Sequence, residues 1–155
     1  MSKQISHNIE IDGAAICYIE AGKGPPILFF TGAPAWCSSW VDVFPSLEGF
    51  SRCIAFDLPG IGESKVSSGY NFNAIGKYIS KFVNALDLSD ITIVTQGSGA
   101  FWGLEYARKN PDKVVGIVLI EAYLASFQIL LNESLMLNEQ NELIKLARAH
   151  GAMLN

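Results

Sequence analysis

Four uninterrupted apolar runs constrain the fold of this chain more than any other feature of its sequence. They are PPILFF at 25–30, RCIAFD at 52–57, ITIVT at 91–95 and VVGIVLI at 114–120. Unbroken apolar runs of this length are typical of strands buried on both faces of a parallel sheet. Because each is far shorter than the roughly 20 residues that a transmembrane helix needs, we expect no membrane span.

Helical patterns lie between these runs. They predict helices at 37–47, 73–87 and 98–109, with one or two more between 124 and 150. In the second of them, apolar residues recur every three or four positions and form one buried stripe.

An antiparallel hairpin is predicted at the N-terminus, because the alternating segments 8–11 and 14–20 flank the turn dipeptide Asp12-Gly13. Strands that alternate with helices are joined by crossover connections. The predicted fold is therefore α/β, with a mostly parallel sheet of about six strands and an N-terminal antiparallel hairpin.

Composition excludes several kinds of function. The 155 residues carry a net charge of −4, which offers no basic surface for nucleic acid. Cys17, Cys37 and Cys53 are odd in number and follow no ligand spacing, so neither a disulfide framework nor a zinc site is predicted. The N-terminus has no secretory signal pattern. We expect a cytoplasmic protein with reduced thiols and with no cofactor or metal.

Glycine-containing loops follow three of the apolar runs. They read Thr31-Gly32-Ala33-Pro34, DLPGIGES at 57–64, and QGSGAFWG at 96–103. Glycines there permit positive φ and close backbone approach at the edge of the sheet where open α/β folds bind ligands. These pieces, in this order, resemble an α/β-hydrolase, and most closely the haloalkane dehalogenases, over residues 8 to 125. The most specific piece is DLPGIGES, which matches the pattern D-x-x-G-x-G-x-S.

The resemblance implies that residues 1–125 are the N-terminal part of the hydrolase core and that 126–155 begin a helical cap or tail. The chain would then end before the last strands, and the catalytic His of the family follows those strands. His7 precedes the first strand and His150 lies in a predicted terminal helix. Neither is expected to act as the base.

The nucleophile elbow of this family has small residues two positions before and after the nucleophile. Centring the elbow on Gly97 places Thr95 and Gly99 at the small positions, whereas centring it on Ser98 places bulky Gln96 at one of them. We therefore assign the nucleophile position to Gly97, which has no side chain that could react.

Other family positions also differ. The halide-binding Asn and Trp are replaced by Ala33 and Ser98, while Glu121 falls where one dehalogenase subfamily has its catalytic acid. Ser98 has two open interpretations, a shifted esterase nucleophile or a helix-capping residue. Glu121 is either a retained acid or the polar residue that ends a strand.

A dinucleotide-binding module is a further alternative, because Gly97, Gly99 and Gly103 follow a strand and Glu121 ends the next one. The third glycine comes one residue late for that motif.

The resemblance also predicts an apolar pocket and an anion hole. Gly32, Ala33, Gly97 and Ser98 would surround the pocket, and the backbone N–H groups of Ala33 and Ser98 would form the hole. For Trp36 and Trp40, a pocket role and core packing remain open. Core packing is expected for Phe101 and Trp102, and a structural role in the glycine loop for Asp57 and Ser64.

Two functional hypotheses follow. The first is a catalytically inactive or fragmentary hydrolase homologue that retains a site for a small apolar ligand. The second is an active ester or carbon-halogen hydrolase that uses Ser98 or is completed by a second chain. In either case the apolar strand at 114–120 would form an open sheet edge, which predicts a homo-oligomer, a partner chain or the tail at 124–150 covering it.

Overall fold

The computed structural model describes residues 5–32, 34–66 and 72–122. Its strands are β1 (Ile5–Ile11), β2 (Ala14–Ala21), β3 (Pro26–Phe30), β4 (Arg52–Phe56), β5 (Lys65–Val66), β6 (Ile91–Gln96) and β7 (Val114–Ile120). Its α-helices are α1 (Phe72–Ala85) and α2 (Gly99–Lys109). Ala33, His150 and the helices predicted between 124 and 150 lie outside the described residues.

The strands form one sheet in the order β1-β2-β4-β3-β6-β7, with the short β5 pairing with β2. The pairs β3–β4, β3–β6 and β6–β7 are parallel, while β1–β2, β2–β4 and β2–β5 are antiparallel. The predicted α/β class, the parallel pairing and the N-terminal hairpin are confirmed.

The core lies on both faces of the sheet, and β3 contributes to each. Phe30 packs in a cluster with apolar residues of α1 and α2. Phe29 faces the other way, where its ring centroid lies 4.9 Å from that of Trp40 and 5.4 Å from that of Phe44. Burial on both faces explains why the sequence of β3 is apolar without alternation.

The single helix predicted at 37–47 is wrong. The structure has two 3₁₀ helices instead, Cys37–Trp40 and Phe44–Ser46, with a turn between them. Pro45 lies in the first turn of the second helix. Proline has no N–H to donate and disfavours the α conformation of the residue before it, so a continuous α-helix through 45 is unfavourable.

The prediction that β7 is buried on both faces is also wrong for the described residues. Val115, Val118 and Ile120 are 60%, 46% and 38% exposed. Because β7 pairs with β6 on one side only in the part of the chain that the structure describes, it forms one end of that sheet. No helix in the described ranges is long and apolar enough to cross a membrane.

Candidate functional site at the carboxyl edge of the sheet

The turn between β6 and α2 has its strained residue at Gly97. Gly97 has φ +55°, in the left-handed region that favours glycine, and its N–H donates to the carbonyl oxygen of Ile120 at 3.0 Å. Ser98, the next residue, has helical backbone angles of φ −70° and ψ −16°. The apex of the turn is therefore Gly97.

Close packing on either side of the apex explains the neighbouring small residues. A Cβ at Gly99 would lie 2.6 Å from the carbonyl oxygen of Phe30, and a Cβ at Gly103 would lie 2.5 Å from Cγ2 of Thr95. Thr95 itself is fully buried. Space is therefore limited at Thr95 and at Gly99, which lie two residues before and two residues after Gly97. Gly99 and Gly103 are required for helix-to-sheet packing, so they need no pyrophosphate ligand to explain them.

The loop after β3 lies directly against this turn. A Cβ at Gly32 would come within 2.7 Å of the Ser98 nitrogen, 2.7 Å of the Gln96 carbonyl oxygen and 3.0 Å of the Ser98 hydroxyl oxygen. The structure thereby brings together Gly32, Gly97 and Ser98, as the resemblance implied.

Ser98 does not cap α2 with its hydroxyl, so the capping interpretation is wrong. The residue occupies the N-cap position but makes no side-chain cap hydrogen bond. A capping serine normally has extended backbone angles that turn its hydroxyl back toward the first N–H groups, and the helical angles of Ser98 differ from that geometry. The side chain is half-buried, and its hydroxyl lies on the side of Gly32.

Glu121 follows the last residue of β7, on the strand next to the one that carries the elbow. It is exposed and has φ +46°. A left-handed backbone costs a non-glycine residue roughly 1–2 kcal/mol. Such strain is often found at functional positions.

His7 lies far from the elbow in the order of the sheet. It is in β1, whereas the elbow follows β6 near the other end. Its ring stacks on Tyr18 with centroids 5.0 Å apart, and its Nε2 lies 3.7 Å from a carboxylate oxygen of Glu20. These contacts explain His7 without a catalytic role.

The two tryptophans after the β3 loop have different environments. Trp40 is buried, and its indole Nε1–H donates to Thr31 Oγ1 at 2.8 Å, so it packs in the core and supports the loop. Trp36 is 55% exposed and lines an open cleft of about 510 Å³.

Asp57 holds the glycine loop after β4 in place, as predicted. Its Oδ1 accepts from the N–H of Cys37 at 2.6 Å, and its Oδ2 accepts from the N–H of Glu63 at 3.0 Å. The Ser64 hydroxyl donates to the Asp57 carbonyl oxygen and accepts from the N–H of Cys17, both at 2.8 Å. A buried carboxylate with two backbone donors is a strong structural anchor.

The open cleft contains a group of residues that sequence reasoning missed. Cys17, Cys37 and Asp57 are all buried, each lines the cleft, and their ligand atoms lie within 4.8 Å of one another. They come from three segments of the chain about twenty residues apart, so no local spacing pattern could have indicated the group. Gly32, Gly97 and Ser98 do not line this cleft, whose walls come from β1, β2 and the segments that follow β3 and β4.

Burial keeps the thiols of this region protonated. Desolvation is the largest cause that raises the pKa of Cys17 and of Cys37, and the nearby charge of Asp57 raises both further. Cys53 belongs to an apolar cluster, where desolvation and then the charge of Glu48 raise its pKa to about 11.

Comparison with known proteins fits this geometry. The family model described as alpha/beta hydrolase fold matches residues 25–148. The chain belongs to the α/β-hydrolase family. This α/β-hydrolase is 35% identical to a haloalkane dehalogenase of Agrobacterium fabrum over 120 residues, covering 77% of this chain and 40% of that protein. It is 37% identical to a haloalkane dehalogenase of Sphingobium indicum over 120 residues, covering 74% and 40%.

Solved structures give the same result. The crystal structure of the haloalkane dehalogenase DatA from Agrobacterium tumefaciens C58 matches with a TM-score of 0.71 at 34% identity, covering 77% of this chain and 41% of that one. The haloalkane dehalogenase DbeA from Bradyrhizobium elkani USDA94 matches with a TM-score of 0.74 at 26% identity, covering 77% and 42%. The chain therefore spans about two-fifths of the length of these relatives.

Proposed function

We propose that this α/β-hydrolase chain has no nucleophilic catalysis of its own and uses the retained scaffold to bind a small apolar ligand. The observation that carries the proposal is Gly97 at the apex of the elbow, with φ +55°. In a dehalogenase reaction, an aspartate carboxylate at that apex forms a bond to carbon as the carbon-halogen bond breaks and halide leaves. Glycine offers no atom for that step.

Further substitutions support the proposal. Ala33 and Ser98 stand where the resemblance places the halide-binding Asn and Trp, so a leaving halide would lose its donors. Among the described residues, the one histidine is His7, which contacts Tyr18 and Glu20. Glu121 keeps the position of the acid, but an acid of this kind acts by orienting an imidazole.

The ligand site that we propose lies between the β3 loop and the elbow. The close approach of Gly32 to the Ser98 nitrogen supports an anion hole made by the backbone N–H groups of Ala33 and Ser98. Such a hole would hold a carbonyl or halogen substituent of the ligand.

An active hydrolase that uses Ser98, or that is completed by a second chain, remains the alternative. The position of the Ser98 hydroxyl beside Gly32 favours it, because a reacting serine must face the oxyanion loop.

The test measures hydrolysis of p-nitrophenyl acetate and halide release from short bromoalkanes by the purified chain. We expect no turnover above buffer, and therefore no difference between the chain, Ser98→Ala and the matched control Ser39→Ala, which alters an exposed serine. Turnover that Ser98→Ala abolishes and Ser39→Ala retains would reject the proposal in favour of the Ser98 alternative.

We also infer that the outer edge of β7 is covered by a second copy, a partner chain or the tail. Its exposed apolar side chains Val115 and Val118 and its single described neighbour, β6, support this inference. Light scattering after size exclusion should give a dimer or larger species, or a monomer whose tail resists protease, and a monomer whose tail is cleaved readily would contradict the inference. A reduced, cytoplasmic location belongs to the same proposal and is supported by the three free cysteines.

A further inference from the structure

Two of the three cysteines meet an aspartate at the open cleft that Trp36 lines. The Sγ atoms of Cys17 and Cys37 and a carboxylate oxygen of Asp57 lie within 4.8 Å of one another. In a tetrahedral zinc site with Zn–S bonds of about 2.3 Å, ligand atoms lie roughly 3.8 Å apart. The group therefore needs to contract by only about 1 Å to close around one ion.

The backbone already fixes the three residues relative to one another. The N–H of Asp57 donates to the carbonyl oxygen of Cys17 at 2.9 Å, and the N–H of Cys37 donates to Asp57 Oδ1 at 2.6 Å. The N–H of Glu63 occupies one lone pair of Asp57 Oδ2. Each carboxylate oxygen has a second lone pair, so Asp57 can serve the loop and an ion together.

Glu63 lies outside this group of three but next to Cys17, so its exposed side chain can move in as a fourth ligand, and the cleft provides an entry path. Glu63 Oε2 lies 3.8 Å from Cys17 Sγ, and the Glu63 side chain is exposed and lines the same cleft. The cleft of about 510 Å³ opens to solvent, so a hydrated ion can reach the thiols.

Cys53 provides the contrast within the same molecule. It is fully buried in an apolar cluster and does not line the cleft, which is the usual environment of a cysteine that only fills space. Cys17 and Cys37 instead line the open cleft, and both thiols lie within 4.8 Å of an Asp57 carboxylate oxygen.

We propose that Cys17, Cys37 and Asp57, with Glu63 as the fourth ligand, form a binding site for one thiophilic divalent cation of the zinc class. Binding forms two metal–thiolate bonds and releases the two thiol protons to solvent, with no change of oxidation state. The two thiolates and two carboxylates together provide more negative charge than the ion neutralises, and the soft sulfur ligands favour zinc over magnesium or calcium.

The test is an anaerobic titration of the reduced chain with Co²⁺, followed by its absorbance. We expect one Co²⁺ per chain, with a thiolate-to-cobalt charge-transfer band and the visible bands of tetrahedral cobalt, both removed by added Zn²⁺. Cys17→Ser and Cys37→Ser should each abolish or strongly weaken the charge-transfer band. Glu63→Gln should weaken binding by about tenfold or more without removing that band.

Cys53→Ser is the matched control and should titrate like the unmodified chain. Failure of the unmodified chain to develop a charge-transfer band would overturn the proposal, and this result does not depend on the folding of any variant. A band that persists in both Cys17→Ser and Cys37→Ser would also overturn it, by placing the ion elsewhere.

Discussion

Two loops at the same edge of the sheet have comparable backbones but different side chains. The loop after β4 has positive φ at Gly60 and Gly62, and the elbow after β6 has positive φ at Gly97. In the first loop, the Asp57 carboxylate accepts from two backbone N–H groups. At the apex of the elbow there is no side chain. The comparison indicates that backbone packing alone can require the turn at Gly97, without any contact from a side chain at its apex.

The largest effect that we expect comes from the first loop. Asp57→Ala would leave the buried N–H of Cys37 and the partly buried N–H of Glu63 without their acceptor, at a cost of about 1–3 kcal/mol each. Urea denaturation should show a loss of about 3 kcal/mol or more in the free energy of unfolding. Asp42→Ala, at an exposed position, is the control and should change stability by less than about 0.5 kcal/mol. Equal effects of the two substitutions would show that Asp57 is not an anchor.

The next effect tests whether packing fixes the elbow. A Cβ at Gly99 would meet the backbone of Phe30 and Thr31 at 2.6–2.9 Å, which cannot relax easily. Gly99→Ala should therefore destabilise the chain by about 1–3 kcal/mol in thermal or urea unfolding. Gly49→Ala, where a Cβ meets nothing within 4 Å, should be neutral or slightly stabilising. A tolerated Gly99→Ala would mean that α2 is not seated as closely as described.

A smaller effect is expected at the apex itself. Gly97→Ala would force a left-handed backbone on a residue with a Cβ, at a cost of roughly 1–2 kcal/mol. Gly97→Asn should cost less, since asparagine tolerates this conformation better. If unfolding experiments found both variants as stable as the parent chain, the apex would not have the positive φ that the comparison depends on.

The smallest effect concerns pH. Thiols near the first loop have a raised pKa in the folded chain, so the folded state retains protons that the unfolded chain loses above its ordinary thiol pKa of 9.0. The free energy of unfolding is therefore highest below pH 9 and falls as the pH rises. The part of this fall that Cys53 causes ends at about pH 11. At pH 9 the raised pKa of Cys53 should lower the free energy of unfolding by about 0.4 kcal/mol relative to pH 7, and the raised pKa values of Cys17 and Cys37 should lower it further. In Cys53→Ser, the fall in the free energy of unfolding between pH 7 and pH 9 should be smaller by about 0.4 kcal/mol. A free energy of unfolding that rises from pH 7 to pH 9 would contradict the account.

Much of the fold could be predicted from the sequence, because the strands of a parallel sheet are apolar throughout and glycine loops mark their ends. Features that depend on contacts between segments far apart in the sequence could not be predicted. The two-residue strand at Lys65 forms by pairing with Ala15, and no pattern of two residues can indicate that. The Cys17 and Cys37 thiols meet only after β2, the 3₁₀ region and the β4 loop have packed.

At the elbow, the sequence was informative in one respect and misleading in another. Family spacing placed the apex at Gly97, and the positive φ lies there. Of the two interpretations of Ser98, the capping one failed: serine is a common N-cap residue, but the backbone of Ser98 is already helical and its side chain makes no cap hydrogen bond. The residue type alone cannot distinguish a serine with extended backbone angles, which caps a helix, from one with helical angles, which does not.

The most direct test of the central claim uses an irreversible fluorophosphonate probe, which labels a serine only when the protein activates it. The purified chain is incubated with the probe and its intact mass is measured, followed by peptide mapping. The account predicts an unchanged mass, because Gly97 occupies the nucleophile position. A stoichiometric adduct mapped to Ser98 would contradict it and identify Ser98 as a nucleophile.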